Sequence, residues 1–265
     1  QGGLLEMYGL AIAPDSATLA TGGYENAVRV WQGLPAAPAS FTVLDDTSAV
    51  TSLAYSPDGR LAAGSEDGFI RLWQPDGVLD RTLPGHTARV TALVWAGDIL
   101  ISASEDGSVR FWQARDGAQT RQLTLGVEVT SLALDGPGEL LAIGTQDGRV
   151  YLWEMEPNRW LGYIPSVGVI RALAFSPDTT QLALASASGQ VQLWRIRLET
   201  GVLAQFPAVA TQAFSHPCQL FDLRGGFKSG EFVSGSQVRL SWGVNSSGDC
   251  SASGAVSVRE VDNSP

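Results

Sequence analysis

Lysine is almost missing from this chain of 265 residues: Lys228 stands alone beside sixteen arginines. No G-x-x-x-x-G-K string occurs, so a phosphate-cradling loop of that type is excluded. Acids outnumber bases 27 to 17, and the formal charge is −10. Nucleic-acid binding needs clustered Lys and Arg, so no nucleic-acid partner is expected. No run of about 18 apolar residues appears, so no transmembrane segment is expected. Histidine and cysteine are scarce as well, with only His86, His216, Cys218 and Cys250. Zinc takes four ligands, usually in close pairs, and His216 with two distant cysteines does not supply them, so no metal site is expected. Nothing near His216 would orient it to activate a cysteine. Calcium-type D-x-D-x-D strings are missing. The acid pairs Asp45-Asp46, Glu66-Asp67 and Glu105-Asp106 are neighbours in sequence and point apart on a strand, so they form no acid/base couple. These absences leave no catalytic residue and no cofactor to expect, and the chain reads as non-enzymatic.

What the chain does have is a repeat. "AGSEDGFIRLW" at 63–73 returns as "SASEDGSVRFW" at 102–112, 39 residues on. Trp31, Trp73, Trp112, Trp153 and Trp194 follow one another at gaps of 42, 39, 41 and 41. Each ends a run that alternates apolar and polar: "NAVRVW", "GFIRLW", "GSVRFW", "GRVYLW", "GQVQLW". Alternation at a period of about two marks a strand. Upstream lie "MYGLAIAPD", "VTSLAYSPDG", "VTALVWAGD", "VTSLALDGPG" and "IRALAFSPD", each closing in a Pro, Asp or Gly turn. A third run follows that turn ("TLATGG", "RLAAGS", "ILISAS", "ELLAIGT", "QLALASA"), and a fourth follows the Trp ("SFTVL", "VLDRTL", "QTRQLT", "RWLGYI", "VLAQF"). No helical periodicity of useful length appears. Each unit therefore predicts a four-stranded antiparallel meander. Such a sheet buries both faces only between neighbours, which predicts an all-β propeller.

The S-E-D-G-x-[IV]-R-x-W phrase, the "SPDG" turn at 56–59 and Gly85-His86 resemble the WD-repeat β-propellers over residues 6–206. In that family a His, a strand Ser or Thr, a turn Asp and the Trp form a hydrogen-bonded set. The resemblance implies that set in full only in the third repeat: His86, Ser102 or Ser104, Asp106 and Trp112. Asp67 with Trp73 and Asp147 with Trp153 keep part of it, Trp31 and Trp194 the Trp alone. No repeat has the family's Asp after the Trp.

Residues 207–265 fit two readings. "ATQAFSHP" at 210–217, "EFVSGSQVRLSW" at 231–242 and "GAVSVREV" at 254–261 align as a divergent sixth blade, and the resemblance leaves room for a seventh. "SGSQVRLSWGVNSSGDC" also resembles the start of an immunoglobulin-like β-sandwich of bacterial surface proteins. On the blade reading Cys218 and Cys250 follow its first and third strands, at one face, where they can form a disulfide; two free thiols are the other reading. A disulfide favours an oxidising compartment. The chain opens on Gln1 rather than Met, as a processed chain or a piece of a longer one would.

The loops before the first strands and the turns after the second strands share one end of such sheets, where the resemblance implies protein partners. The pre-strand positions include Glu6, Arg89 and Glu128, and the turn positions Tyr24, Glu66, Glu105 and Gln146. They make an acidic rim broken by one arginine, suited to a basic partner or simply solvated. Tyr24 and Arg89 are the anchor candidates, because Tyr and Arg are over-represented at hot spots. Trp160, with Leu161 and Tyr163, is either a second docking patch or blade packing. The expectation is a protein-binding scaffold, secreted, periplasmic, at a bacterial surface or part of a bacterial complex; an intracellular adaptor belonging to a longer chain is the alternative, and a hydrolytic propeller enzyme, which would need acids or histidines lining the channel, is the third reading.

Overall fold

Short alternating runs closed by glycine turns fold as they read: no helix occurs among the described residues. The computed structural model describes residues 7–33, 41–45 and 48–196, with the strands 211–213, 229–233, 237–241 and 253–257. The chain forms two compact units, Gln1–Leu132 and Ala133–Pro265.

The first unit holds three four-stranded antiparallel sheets, each paired in chain order. They are β1 (Met7–Ile12), β2 (Thr18–Gly23), β3 (Ala27–Gln32) and β4 (Phe41–Asp45); then β5 (Val50–Tyr55), β6 (Leu61–Ser65), β7 (Ile70–Trp73) and β8 (Leu79–Leu83); then β9 (Val90–Ala96), β10 (Ile99–Ser104), β11 (Ser108–Gln113) and β12 (Gln119–Thr124). The repeated phrase is the β6–β7 or β10–β11 hairpin. Its glycine has two reasons to be there. Gly68 holds φ at +82°, and a Cβ on it would lie 2.7 Å from the carbonyl oxygen of His86.

Period-two alternation gives each sheet two apolar faces, and neighbouring sheets bury them. Ala20, Val28 and Leu44 of the first sheet pack against Leu53, Leu61 and Trp73 of the second. Ala62, Ile70, Leu72 and Leu83 of the second pack against Leu93, Leu100 and Trp112 of the third. The facing surface is small on the inner strands and larger outside, so it accepts the bulky Leu and Trp row of the next sheet. The opposite face of the first sheet leaves Leu10 and Ile12 exposed, at 45% and 60%.

A second device ties the sheets edge to edge. A Cβ on Gly64 would lie 2.4 Å from Cγ1 of Val90, so the glycine makes room for the first residue of the next sheet. A threonine after the opening valine of a sheet completes the tie to the next sheet. Thr51 Oγ donates to the carbonyls of Gly64 and Val90, and Thr91 Oγ to that of Val129, at 2.7 Å. Trp95, outside the repeated Trp position, donates its indole N–H to the Ala54 carbonyl at 3.2 Å.

The fourth sheet contains β13 (Val129–Leu134), β14 (Leu140–Thr145), β15 (Arg149–Glu154) and β16 (Arg159–Pro165). The fifth contains β17 (Ile170–Phe175), β18 (Gln181–Ser186), β19 (Gln190–Arg195) and β20 (Thr211–Ala213). Leu140, Ala142, Val150 and Leu152 pack against Ile170, Leu182 and Leu184, repeating the small-to-large rule.

The tail departs from its alignment. Residues 211–213, read as opening a sixth blade, instead close the fifth sheet, with Gln190 opposite Ala213 and Gln192 opposite Thr211. The stretch 202–206, expected in that place, lies outside the described residues. Alternation marks a strand but does not choose its partner, and here the more distant run takes the open edge. The rest of the tail forms a three-stranded sheet: β21 (Ser229–Val233), β22 (Gln237–Ser241) and β23 (Ser253–Ser257). β21 and β22 are the expected 231–242 hairpin, and β23 comes from the "GAVSVREV" run.

Candidate partner-binding rim

The third repeat builds a continuous hydrogen-bonded chain from sheet to loop. Trp112 Nε1–H donates to Ser102 Oγ at 2.8 Å, and Ser102 Oγ–H donates to His86 Nε2 at 2.8 Å. His86 Nδ1–H donates to Asp106 Oδ2 at 2.9 Å, and Ser108 Oγ–H donates to Asp106 Oδ1 at 2.6 Å. These partners fix the neutral Nδ1–H tautomer. Burial pushes the imidazole below its ordinary 6.5, against the pull of the Asp106 carboxylate. Burial also opposes the Asp106 charge, but hydrogen bonds from Ser108 and His86 outweigh it and hold that pKa below 3.8. The serine of the set is Ser102. Ser104, the other candidate, accepts from the Asp106 N–H and donates to the Ala88 carbonyl, each at 3.0 Å.

The other repeats meet the same problem without histidine. Strand register places Thr21, Ser102 and Ile143 at equivalent positions, two residues along from the partner of the Trp. Trp31 Nε1–H donates to Thr21 Oγ at 2.9 Å, whereas Trp153 Nε1–H, facing the Ile143 position, is buried with no acceptor. Trp194 donates to Gln192 on its own strand, at 3.1 Å. Trp73 is buried opposite Leu61. The turn acids find arginines instead. Asp67 takes Arg71 at 2.9 Å and Asp147 takes Arg149 at 2.6 Å, while Glu25 pairs with Arg29. The four-residue E/D-to-R spacing was present in the sequence and could have identified Arg29 and Arg71.

Backbone bonds bring the two sets of rim positions together. Glu66 N–H donates to the Ala49 carbonyl at 2.9 Å and Glu105 N–H to that of Arg89 at 3.0 Å. In the second unit Ala187 N–H donates likewise to Val169, at 2.8 Å. Each turn thus meets the loop that opens its own sheet. Glu66 and Glu105 are exposed, Glu128 and Arg89 half-buried, and Tyr24 is 47% exposed. Tyr24 meets Tyr8 edge-on at 5.0 Å, and the Arg89 guanidinium lies 5.0 Å over the Tyr8 ring. Sequence reading named two members of this stack and missed Tyr8, which lies on β1 at the register shift between Met7 and Gly9.

Gln146 is exposed in the second unit. So are Trp160 and Tyr163, whose rings each lie 5.8 Å from Tyr151. Trp160 also meets buried Trp153 at 4.8 Å, so the patch is partly sheet packing. Glu6, Cys218 and Cys250 lie outside the described residues. Among the described residues no group of three His, Cys, Asp or Glu side chains is placed to hold a metal ion, and no helix is long and apolar enough to cross a membrane.

Known proteins give the repeats a family. WD40 (WD domain, G-beta repeat) matches residues 5–32, 40–74, 77–113, 120–154 and 164–195. The chain is 31% identical over 128 residues to Protein HIR1 of Cryptococcus neoformans, covering 37% of this chain and 14% of the relative. It is 32% identical over 133 residues to the F-box-like/WD repeat-containing protein TBL1X of Mus musculus, covering 44% of this chain and 25% of the relative. Protein HIR1 of Yarrowia lipolytica is 26% identical over 137 residues, with 35% and 13% covered. The chain therefore spans a quarter or less of the length of these relatives. Each of the five matched repeats covers the first three strands of one four-stranded antiparallel sheet, and three of them also take in the last strand of the sheet before. The sheets are β-propeller blades, and the chain belongs to the WD40 family.

Proposed function

We propose that the chain is a non-enzymatic protein-binding scaffold, and that the first unit takes a basic segment of a partner at the rim carrying Tyr24, Glu66, Arg89 and Glu105. One observation carries this reading: the Tyr8–Tyr24–Arg89 stack sits on the rim whose exposed carboxylates are Glu66 and Glu105. Rings offer large contact area at low entropic cost, and carboxylates steer a cationic partner to them. Relatives named for WD repeats are consistent with a binding role.

The test is native purification from the source, with mass spectrometry of what is retained. It is repeated with Glu66→Lys, Glu105→Lys and Glu128→Lys combined. A stoichiometric protein lost on reversal supports the reading. Retention unchanged by reversal moves the site away from this rim. The proposed placement at a surface or outside the cytosol separates from the intracellular adaptor at Cys218 and Cys250. Alkylation and intact mass read their thiol state.

A further inference from the structure

Among the described residues, the strand arginines that follow the first four repeat turns face acids: Arg29, Arg71, Arg110 and Arg149 reach Glu25, Asp67, Asp106 and Asp147. Arg89 does not. Among the described residues no carboxylate lies within ion-pair distance of its guanidinium, which is laid over Tyr8 instead. Stacking on a ring holds the guanidinium plane while leaving its N–H edge free.

The loop under Arg89 is pinned at three successive residues. Thr87 N–H donates to Asp106 Oδ2 at 3.1 Å, the Ala88 carbonyl accepts from Ser104 Oγ at 3.0 Å, and the Arg89 carbonyl accepts from Glu105 N–H at 3.0 Å. Two of these bonds come from the turn that carries Asp106, the residue His86 holds. The repeat with the complete His–Ser–Asp–Trp set is thus the one that fixes the loop bearing an unmatched cation. Preorganisation of this kind removes the ordering cost of binding. A half-buried arginine with no counter-ion among the described residues is best satisfied by a planar acceptor that takes two N–H groups at once.

Resting on the protein-binding reading above, we propose that Arg89 is a preformed seat for one carboxylate side chain, an Asp or Glu set within an otherwise basic partner segment. Glu66 and Glu105, exposed in the equivalent turns of the second and third sheets, take the neighbouring basic residues. An all-acidic segment is repelled by the rim. An all-basic one presents Arg89 with a like charge.

The test uses the full chain and short Lys-rich peptides identical except for a central Glu or Gln, titrated by fluorescence anisotropy. The wild type binds the Glu peptide about tenfold or more tighter, as one charge-assisted pair predicts. Arg89→Met abolishes that preference. Arg89→Lys, which keeps the charge but not the plane, retains part of it. Glu66→Lys weakens both peptides alike. Melting temperatures of the variants confirm that each is folded, and Arg89→Gln repeats the test if Arg89→Met is not. Equal binding of the two peptides by wild type, or a preference that survives Arg89→Met, overturns the seat. If equal binding is still weakened by Glu66→Lys, the rim reading stands and only the seat falls. If neither peptide binds, both fall.

Discussion

Trp112 and Trp153 occupy the same place in their sheets, opposite Leu100 and Leu141, yet only one indole N–H has an acceptor. Removing a polar group that already lacks a partner costs less than removing one whose partner then loses a hydrogen bond. Trp112→Phe is therefore expected to destabilise by about 1–2 kcal/mol more than Trp153→Phe, read as a denaturant midpoint difference. A smaller difference would show that Ser102 finds another donor. The same network makes stability depend on acid. His86 and Asp106 both have lowered pKa values in the fold, so the unfolded chain binds more protons. Their stabilisation is complete above the ordinary His value of 6.5. It falls as pH drops below that value, and again below 3.8 as Asp106 protonates. Urea midpoints measured against pH show both limbs, and His86→Asn removes the upper one. Much of this network was legible: His86, Asp106 and Trp112 follow from the resemblance to the WD-repeat family. The choice between Ser102 and Ser104 was not. Both lie on one face of β10, and only the register with β11 puts Ser102 under the indole.

At the scale of strands and sheets, the Gly–Val and Thr–carbonyl tie joins one blade to the next more specifically than apolar faces do. Gly64→Ala drives a Cβ into Val90 at 2.4 Å. The expected cost is about 1–3 kcal/mol, with Val90→Ala in the double variant restoring part of it. Additive losses would show that the two side chains do not meet. By contrast Ile12, at 60% exposure, is expected to tolerate Thr within about 0.5 kcal/mol. Strand number, order and hairpins through residue 196 were readable because each strand is adjacent to its partner in sequence. The tail was not, because pairing across a longer connection is decided by which edge is open. Nothing in "ATQAF" says whether it begins a sheet or ends one.

For the molecule as a whole, a net charge of −10 is a statement about encounters rather than about fold. Steering by the rim is screened over about 10 Å at 0.1 M salt. The association rate of the retained partner is thus expected to fall as salt rises from about 0.05 to 0.5 M, with little change in dissociation rate. The Glu66, Glu105 and Glu128 reversal should flatten that dependence. A partner whose dissociation alone responds to salt would place its ion pairs inside the interface rather than around it. The acidic rim could be read from repeat positions alone. The Tyr8 stack and the unmatched Arg89 could not, since they join residues from the first and third sheets. The interblade tie has a further consequence, for the history of the chain. A duplication of the second repeat copies both halves of the tie: the Gly and Thr that meet the blade that follows, and the Val that meets the blade before. A copy of that repeat arrives already fitted to both neighbours. A chain built this way can gain a blade in one genetic step without first evolving an interface to hold it.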